Sequence, residues 1–269
     1  MTESRAVDAG PLARTLSRAV YEYAALCSSL LLFALLCLSW SLITVPLYLL
    51  LPRRLARRLG RLGIMAGFRL YAQWLTRIGA YELDLSAIDG LRGGAPLILA
   101  PNHPSLIDAI LIVSRHPNLS CIMKSDLMAN ILLGPGARLA RYIRSGSPRQ
   151  MVREAVTDLR QGGTVLLFPE GTRTTRAPIN SLTKSVGVIA RQAGVPVQTL
   201  LIETDSGFLS KGCAMWTRPS LPISYRVRLG RRFDPPRDAE AFRLELERYY
   251  RSELQHTIPA PRSASSSCR

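Results

Sequence analysis

The sequence predicts an α/β fold, with a mostly parallel or mixed sheet flanked by helices and an N-terminal apolar membrane helix or helical hairpin. This prediction rests on two observations. From residue 81 onward, short apolar runs alternate with stretches of helical periodicity, which is the pattern of a sheet covered by helices. Before residue 80, the chain contains one long uncharged segment. The 269 residues have room for one substantial domain and a short appendage.

Five short apolar runs are predicted to be strands, and four stretches between and after them are predicted to be helices. The strands are PLILA at 96–100, LSCIM at 119–123, TVLLF at 164–168, and the runs at 195–202 and 223–229. The helices are expected at 105–114, 150–160, 182–192 and 239–254. We therefore assign residues 80–256 to one folded domain and residues 257–269, which are rich in Ser, Pro and Arg, to a disordered tail.

The N-terminal part contains 28 consecutive residues without a charged side chain, from Ala24 to Leu51. A helix of about 20 apolar residues crosses the hydrocarbon core of a bilayer. The run is too long for a cleaved signal sequence, and it ends in Pro52-Arg53-Arg54 rather than in a small-residue cleavage site. Pro46 removes a helical hydrogen bond, so a spanning helix and a helix that dips into one leaflet are both open. Residues 1–23 are then a leader, and residues 24–79 comprise a membrane-anchoring segment and an interfacial helix.

The net charge is +16, and its distribution favours a membrane over a nucleic acid as the partner. Arginines follow the apolar run directly, at a position where they attract anionic lipid head groups and keep the following chain in the cytoplasm. They are Arg53, Arg54, Arg57, Arg58 and Arg61. Helical periodicity over 55–78 fits either an interfacial helix or one that faces a core. We expect no nucleic-acid partner, and an active domain on the cytoplasmic face of a membrane, the inner membrane in a bacterium.

A histidine and an aspartate follow the strand at 96–100, in Asn102-His103-Pro104-Ser105-Leu106-Ile107-Asp108. Pro104 suits the first turn of a helix, which predicts His103 at the helix entrance and Asp108 in its second turn. A carboxylate that accepts one imidazole N–H fixes the tautomer and leaves the other nitrogen as a base. At this spacing alone, a histidine that caps a helix is the more frequent explanation.

A second polar segment, Phe168-Pro169-Glu170-Gly171-Thr172-Arg173, directly follows the strand at 164–168. Functional groups in parallel sheets gather beyond the carboxyl ends of strands, so both segments are expected at one crevice. Gly171 lets backbone N–H groups approach an anion, and Arg173 carries a guanidinium that matches phosphate oxygens. In isolation, the Pro-Glu-Gly-Thr tetrapeptide is more typical of a surface turn. With five cysteines in no paired spacing and only three histidines, we expect no metal and no cofactor.

Together and in this order, the two segments resemble the motifs of the glycerolipid acyltransferase family, typified by 1-acylglycerol-3-phosphate acyltransferase. Lys124, Gly134 and Arg144 fall where that family has a lysine after a strand, then a glycine and then an arginine. Gly194-Val195-Pro196-Val197 is similar to the family's fourth motif. The chain has Gln198-Thr199 where the family usually has a further proline, and this departure is expected to affect substrate fit.

The resemblance implies an O-acyltransferase that moves a fatty acyl group from acyl-CoA or acyl carrier protein to a lipid hydroxyl, such as that of 1-acylglycerol 3-phosphate, in phospholipid biosynthesis. His103 is then the general base and Asp108 orients it, without an acyl-enzyme intermediate. The residues expected to bind the acceptor are Glu170, Gly171, Thr172, Arg173, Lys124 and Arg144. The alternatives are a non-glycerolipid acceptor, a thioesterase of the same fold, and a catalytically silent membrane-anchored binding protein.

Overall fold

The computed structural model describes residues 10–255. Its centre is a sheet of seven strands in the order β1-β7-β6-β2-β5-β3-β4. The strands are β1 (Tyr81–Asp84), β2 (Ile98–Pro101), β3 (Leu119–Met123), β4 (Ile143–Arg144), β5 (Thr164–Leu166), β6 (Val197–Thr204) and β7 (Ile223–Phe233). All neighbouring strands are parallel except β6 and β7, which are antiparallel. This confirms the predicted α/β fold with a mostly parallel, mixed sheet.

Helices cover both faces of the sheet. They are α1 (Gly10–Leu50), α2 (Arg53–Arg77), α3 (Asp108–Val113), α4 (Ser125–Ala129), α5 (Gly134–Leu139), α6 (Pro148–Arg160), α7 (Ser185–Ala193) and α8 (Ala239–Gln255), with a 3-10 turn at Ser86–Leu91. The five predicted strands and four predicted helices are all present, and all except the strand at 119–123 have shifted ends. The strands β1 and β4 were not predicted, because four and two residues are too short to give a clear periodic pattern.

Successive residues of the central strands enter two different core layers. Leu99 packs with the layer that includes α2 and α3, whereas Ile98 and Ala100 pack with the layer that includes α6, α7 and α8. A strand that is buried on both faces has no polar side to its pattern. This explains why the strands show continuous apolar runs rather than alternation.

The helix α1 packs along the domain with one face and exposes the other. Glu22, Ala25 and Ser41 are buried, whereas Leu35 and Leu42 are 50% and 68% exposed. The helix continues without a break from the predicted leader into the apolar segment, with Pro46 inside it. Among the described residues, this is the one helix that is long and apolar enough to cross a membrane, judged by length and composition. Residues 1–9 of the predicted leader and the predicted tail at 257–269 lie outside the described residues.

The helix α2 faces the core with one side, so the expected head-group contact of the arginine cluster is wrong for Arg61. Arg61 is 2% exposed, and its Nη2 lies 2.6 Å from Asp158 Oδ1. Its Nη1 donates to Asn118 Oδ1 at 2.8 Å, and its Nε donates to the Ala140 carbonyl at 3.2 Å. Arg57 also contacts Asp158 Oδ1, at 3.2 Å. Two of the five arginines therefore tie α2 to the domain, and the other three remain exposed.

Candidate active site

The two polar segments meet at one edge of the sheet. The strands β2 and β5 are parallel neighbours, and β2 ends at Pro101 while β5 ends at Leu166. Residues 102–108 and 167–173 therefore leave the sheet side by side at its carboxyl edge, as predicted. This placement is the first requirement for a shared site.

The amide of Asn102 fixes the start of the first segment. Its Nδ2 donates to the Ile202 carbonyl at 3.0 Å, and its Oδ1 accepts from the Ile202 N–H at 2.7 Å. This buried side chain thus continues the hydrogen-bond ladder between β2 and β6 beyond Pro101. The backbone at His103 is consequently held by the sheet itself.

His103 and Asp108 form a hydrogen-bonded pair, with 2.8 Å between His103 Nδ1 and Asp108 Oδ2. An ionised carboxylate can only accept, so Nδ1 carries the proton and Nε2 keeps its lone pair. The His103 side chain is 15% exposed and the Asp108 side chain is 0% exposed. The imidazole is therefore accessible to a reactant, while the carboxylate that orients it is sealed from water.

The predicted start of the helix after His103 is wrong. The helix α3 begins at Asp108, so Pro104 lies in the preceding turn and not in the first turn of the helix. Asp108 Oδ2 accepts a hydrogen bond from the Ser105 N–H at 2.9 Å, which closes this turn. Because residues 103–107 are outside a regular helix, side chains five positions apart can meet.

Asp108 accepts hydrogen bonds from three donors. Beside His103 and the Ser105 amide, the Tyr225 hydroxyl donates to Oδ1 at 2.8 Å. Burial raises the pKa of Asp108, and the hydrogen bonds from His103, Ser105 and Tyr225 oppose that rise. The sequence analysis did not identify Tyr225. Its position among the inward-facing residues of β7 was a usable signal, because a buried tyrosine hydroxyl normally requires a partner.

Glu170 links the second segment to the first through its carboxylate. Its Oε1 accepts from the His103 N–H at 3.0 Å and from Thr174 Oγ1 at 2.8 Å, and its Oε2 accepts from the Asn180 N–H at 2.9 Å. Burial raises the pKa of Glu170, and these donors oppose the rise. The carboxylate that was predicted to bind an acceptor is therefore occupied by donors of the protein, and it positions the backbone of His103.

Arg173 connects the second segment to the loop between β6 and β7. Its Nη1 donates to the carbonyls of Leu209 and Ser210, both at 2.9 Å. In the same loop, the Phe208 carbonyl accepts from Ser105 Oγ at 3.2 Å. This loop therefore closes over the turn that holds His103 and Asp108. The Nε and Nη2 groups of Arg173 form no hydrogen bond with another residue in the range 10–255, so they can still bind an anion.

Residues 83–203, which include both segments, match the family model described as Acyltransferase. This part of the chain is similar to the Acyltransferase family. Among the curated relatives, the lyso-ornithine lipid O-acyltransferase of Pseudomonas aeruginosa is 30% identical over 138 residues, which are 50% of this chain and 53% of that protein. A chloroplastic 1-acyl-sn-glycerol-3-phosphate acyltransferase of Brassica napus is 24% identical over 123 residues, 44% of this chain and 36% of that protein. The chain thus spans about half of the first relative's length and about a third of the second's.

A solved structure shares the fold of this part of the chain and of the helices before it. The crystal structure of the 1-acyl-sn-glycerophosphate (LPA) acyltransferase PlsC from Thermotoga maritima has a TM-score of 0.63, with 22% identity. The similarity covers 90% of this chain and 95% of that chain. It therefore extends beyond the residues that match the family model.

Lys124 and Arg144 reach the same edge of the sheet, but not the immediate surroundings of His103. They stand at the ends of β3 and β4, which follow β5 in the sheet. At about 4.8 Å per strand, they leave the sheet about 10 and 14 Å from the end of β2. Both residues are exposed, and neither side chain forms a hydrogen bond or ion pair with another described residue. They provide free positive charge at the rim of the site.

Gly171 and Thr172 form the turn between Glu170 and Arg173. Gly171 has a φ of 68°, a left-handed conformation that favours glycine. Its N–H donates to the Phe168 carbonyl at 3.0 Å, so the turn itself uses the amide that was expected to approach an anion. The Phe168 ring stacks on the His103 imidazole with 3.9 Å between the ring centroids. Phe168 belongs to the second polar segment but was not predicted as a site residue.

Gln198 and Thr199 do not line this edge, so their expected effect on substrate fit is not supported. Gln198 pairs with Leu99, before the carboxyl end of β2. Gln198 Nε2 donates to the Gly230 carbonyl and Thr199 Oγ1 to the Arg231 carbonyl, both at 2.7 Å. These polar side chains therefore stabilise the pairing of β6 with β7 at an irregularity in its register. Within residues 10–255, no group of three or more His, Cys, Asp and Glu side chains could hold a metal ion.

Proposed function

We propose that this protein is an O-acyltransferase that transfers a fatty acyl group from the thioester of acyl-CoA or acyl carrier protein to a lipid hydroxyl. The observation that carries the proposal is the His103–Asp108 pair at the carboxyl edge of the sheet, with an accessible imidazole and a sealed carboxylate. The similarity of residues 83–203 to the Acyltransferase family supports the same reaction class.

In the proposed reaction, His103 Nε2 accepts the proton of the acceptor hydroxyl as its oxygen attacks the thioester carbonyl. A carbon–oxygen bond forms, the carbon–sulfur bond breaks, and the imidazolium returns its proton to the departing thiolate. Asp108 stabilises the transient imidazolium through the hydrogen bond to Nδ1. The proton of the acceptor hydroxyl thus ends on the departing thiol, and His103 is neutral again after each transfer.

Ser105 is the hydroxyl closest to His103 in sequence, and its contacts favour direct transfer without an acyl-enzyme. The side chain is only 4% exposed, and its Oγ donates to the Phe208 carbonyl. A serine nucleophile needs its proton directed at the base and its oxygen open to the substrate. Ser105 meets neither requirement in this arrangement.

The proposed acceptor is a lysolipid with a phosphate, such as 1-acylglycerol 3-phosphate. The free N–H groups of Arg173 lie nearest to the reacting pair, and Lys124 and Arg144 add positive charge farther along the rim. A second candidate acceptor is a lyso lipid with an amino-acid head group, because one relative is named a lyso-ornithine lipid O-acyltransferase. An acceptor with an amino-acid head group needs no phosphate contact. Assays with acceptors that have or lack a phosphate therefore distinguish the two candidates.

The packing of α1 favours attachment within one leaflet over a span. Glu22 pairs with Arg218, and Ser41 Oγ donates to the Leu132 carbonyl, so α1 contacts the domain at both positions. These contacts are about 28 Å apart along the helix, nearly the thickness of the hydrocarbon core. A single pass would pull the domain into the bilayer. We propose that the exposed stripe with Leu35 and Leu42 enters one leaflet of the anionic cytoplasmic face.

Activity is tested with purified protein in vesicles, labelled acyl-CoA or acyl carrier protein, and a panel of hydroxyl acceptors. We expect transfer by the wild type and a loss of at least about 1000-fold in His103→Ala, because the general base is removed. Transfer at the wild-type rate in His103→Ala contradicts the mechanism. Release of free fatty acid with every acceptor indicates a thioesterase, and no turnover of any donor indicates a silent binding protein.

Attachment to the membrane is tested with two leucines of nearly equal exposure. Leu35→Glu should weaken binding to anionic vesicles roughly tenfold, since a charge enters the lipid, whereas Leu244→Glu on α8 should not. Their exposures, 50% and 48%, make them a matched pair. Cysteines at positions 16 and 50 report the topology, because a membrane-impermeant maleimide labels both in an in-plane helix but only one in a spanning helix.

A further inference from the structure

Tyr225 reaches the candidate site from outside the part of the chain that matches the family model. It lies on β7, whereas the match ends at residue 203, and it is 117 positions from Asp108 in the sequence. Tyr225 is 1% exposed, between the buried residues Ile223 and Val227 of the same strand. Its hydroxyl donates to Asp108 Oδ1 at 2.8 Å. The strand therefore brings a buried hydroxyl to the carboxylate of the pair.

The two carboxylate oxygens of Asp108 accept hydrogen bonds from different donors. Oδ2 accepts from His103 Nδ1 and from the Ser105 amide, while Oδ1 accepts from Tyr225. In a buried carboxylate that lacks water, donors at both oxygens stabilise the ionised form. Among the described residues, no lysine or arginine pairs with Asp108, so the tyrosine hydroxyl is the one side-chain donor besides the histidine.

We propose that Tyr225 is a positioning residue of the acyl transfer, whose hydroxyl orients the Asp108 carboxylate and limits how strongly it draws a proton from His103. This inference rests on the proposed function. A carboxylate with one donor fewer is a stronger acceptor for the imidazole N–H. Without Tyr225 Oη, Asp108 therefore stabilises the imidazolium more, and His103 remains protonated, and inactive as a base, to a higher pH.

Other ionisable groups near the pair do not replace this contact. Glu170 accepts from the His103 backbone amide and faces the imidazole from the β5 side. Tyr81 on β1 is buried, and it interacts electrostatically with Asp108 and with Tyr71 of α2. Burial raises the pKa of Tyr225, and the charge of Asp108 raises it further, so the phenol keeps its proton and acts as a donor.

The test compares Tyr225→Phe with Tyr142→Phe. Tyr142 is also buried, but its hydroxyl has no hydrogen-bond partner in the part of the chain that the structure describes. The readout is the pH dependence of diethylpyrocarbonate modification at His103, followed by peptide mass spectrometry. We expect the midpoint in Tyr225→Phe to move up by about one pH unit and kcat at neutral pH to fall roughly tenfold, with little change in KM. Tyr142→Phe should match the wild type.

The inference is overturned if Tyr225→Phe and Tyr142→Phe give the same midpoint and the same kcat. If Tyr225→Phe does not fold, 3-fluorotyrosine at position 225 keeps the ring and gives a stronger donor. The midpoint should then move to lower pH, and an unchanged midpoint overturns the inference. The modification assay needs no turnover, so a wild type that transfers no acyl group refutes the proposed function without deciding the role of Tyr225.

Discussion

The buried pair of Arg61 and Asp158 should make the association of α2 with the domain strongly dependent on one side chain. The perturbation is Arg61→Met, which keeps the length and apolar character of the side chain but removes its charge. It deletes three hydrogen bonds, to Asp158, to Asn118 and to the Ala140 carbonyl. Asp158 then retains only Arg57, at 3.2 Å and with 22% side-chain exposure.

The expected cost follows from the burial of the two partners. The side chains of Arg61 and Asp158 are 1% and 8% exposed, so the remaining carboxylate stays largely out of water. Removing one partner of a buried pair costs 3–5 kcal/mol, and because Arg57 stays close we expect about 3 kcal/mol. In a chain of this size, that corresponds to a drop in Tm of about 6–12 °C.

The assay is thermal and urea unfolding of the protein in a mild detergent. Arg58→Met is the matched control, because Arg58 lies on the same helix and is exposed. We expect the control to change the free energy of unfolding by less than about 0.5 kcal/mol. The double variant Arg61→Met/Asp158→Leu should recover part of the loss, since it leaves no buried charge unpaired. The reasoning is refuted if Arg61→Met unfolds at the same temperature as Arg58→Met.

Three further predictions concern the site and the helix packing. Glu170→Gln should destabilise the protein by about 1–3 kcal/mol and lower kcat, because the amide cannot accept hydrogen bonds from all three donors of Glu170. An unchanged melting temperature and unchanged kinetics would contradict this. Lys124→Ala and Arg144→Ala should each raise KM for a phosphate-bearing acceptor roughly tenfold in steady-state assays, and equal losses with a phosphate-free acceptor would contradict a phosphate contact. Gly60→Ala should lower the free energy of unfolding by about 1–3 kcal/mol, because its Cβ would lie 2.5 Å from the Ala140 nitrogen. In Gly67→Ala the Cβ meets nothing within 4 Å, so this variant should stabilise α2. Similar shifts of Tm in both variants would refute this.

Much of the fold could be predicted because its signals are local. The apolar runs of β2, β3 and β5 report strands that are buried on both faces, and their order along the chain indicates a parallel sheet. The ends of elements were less predictable. The helix α3 starts at Asp108 because a side-chain hydrogen bond closes the preceding turn, and proline at position 104 could not reveal that contact.

The candidate site was predicted to the extent that its residues lie within two short segments. The resemblance of the two segments to family motifs paired His103 with Asp108, and the structure shows the hydrogen bond between them. The hydrogen-bond partner of each charged side chain was harder to predict. Glu170 and Arg173 resemble residues that bind a ligand, but their charges also hold the backbone of His103 and of the loop at Leu209.

The sequence by itself determined the class of the sheet, the apolar segment and the two polar segments that follow neighbouring strands, because each depends on residues close together in the chain. Only the tertiary structure decided that Tyr225 donates to Asp108, that Arg61 is buried against Asp158, and that α1 lies along the domain. These contacts join residues about a hundred positions apart, and each is chosen by strand order and helix packing. A hydroxyl or a guanidinium has the same local pattern whether it meets water or a buried carboxylate, so its partner is not encoded in the neighbouring residues.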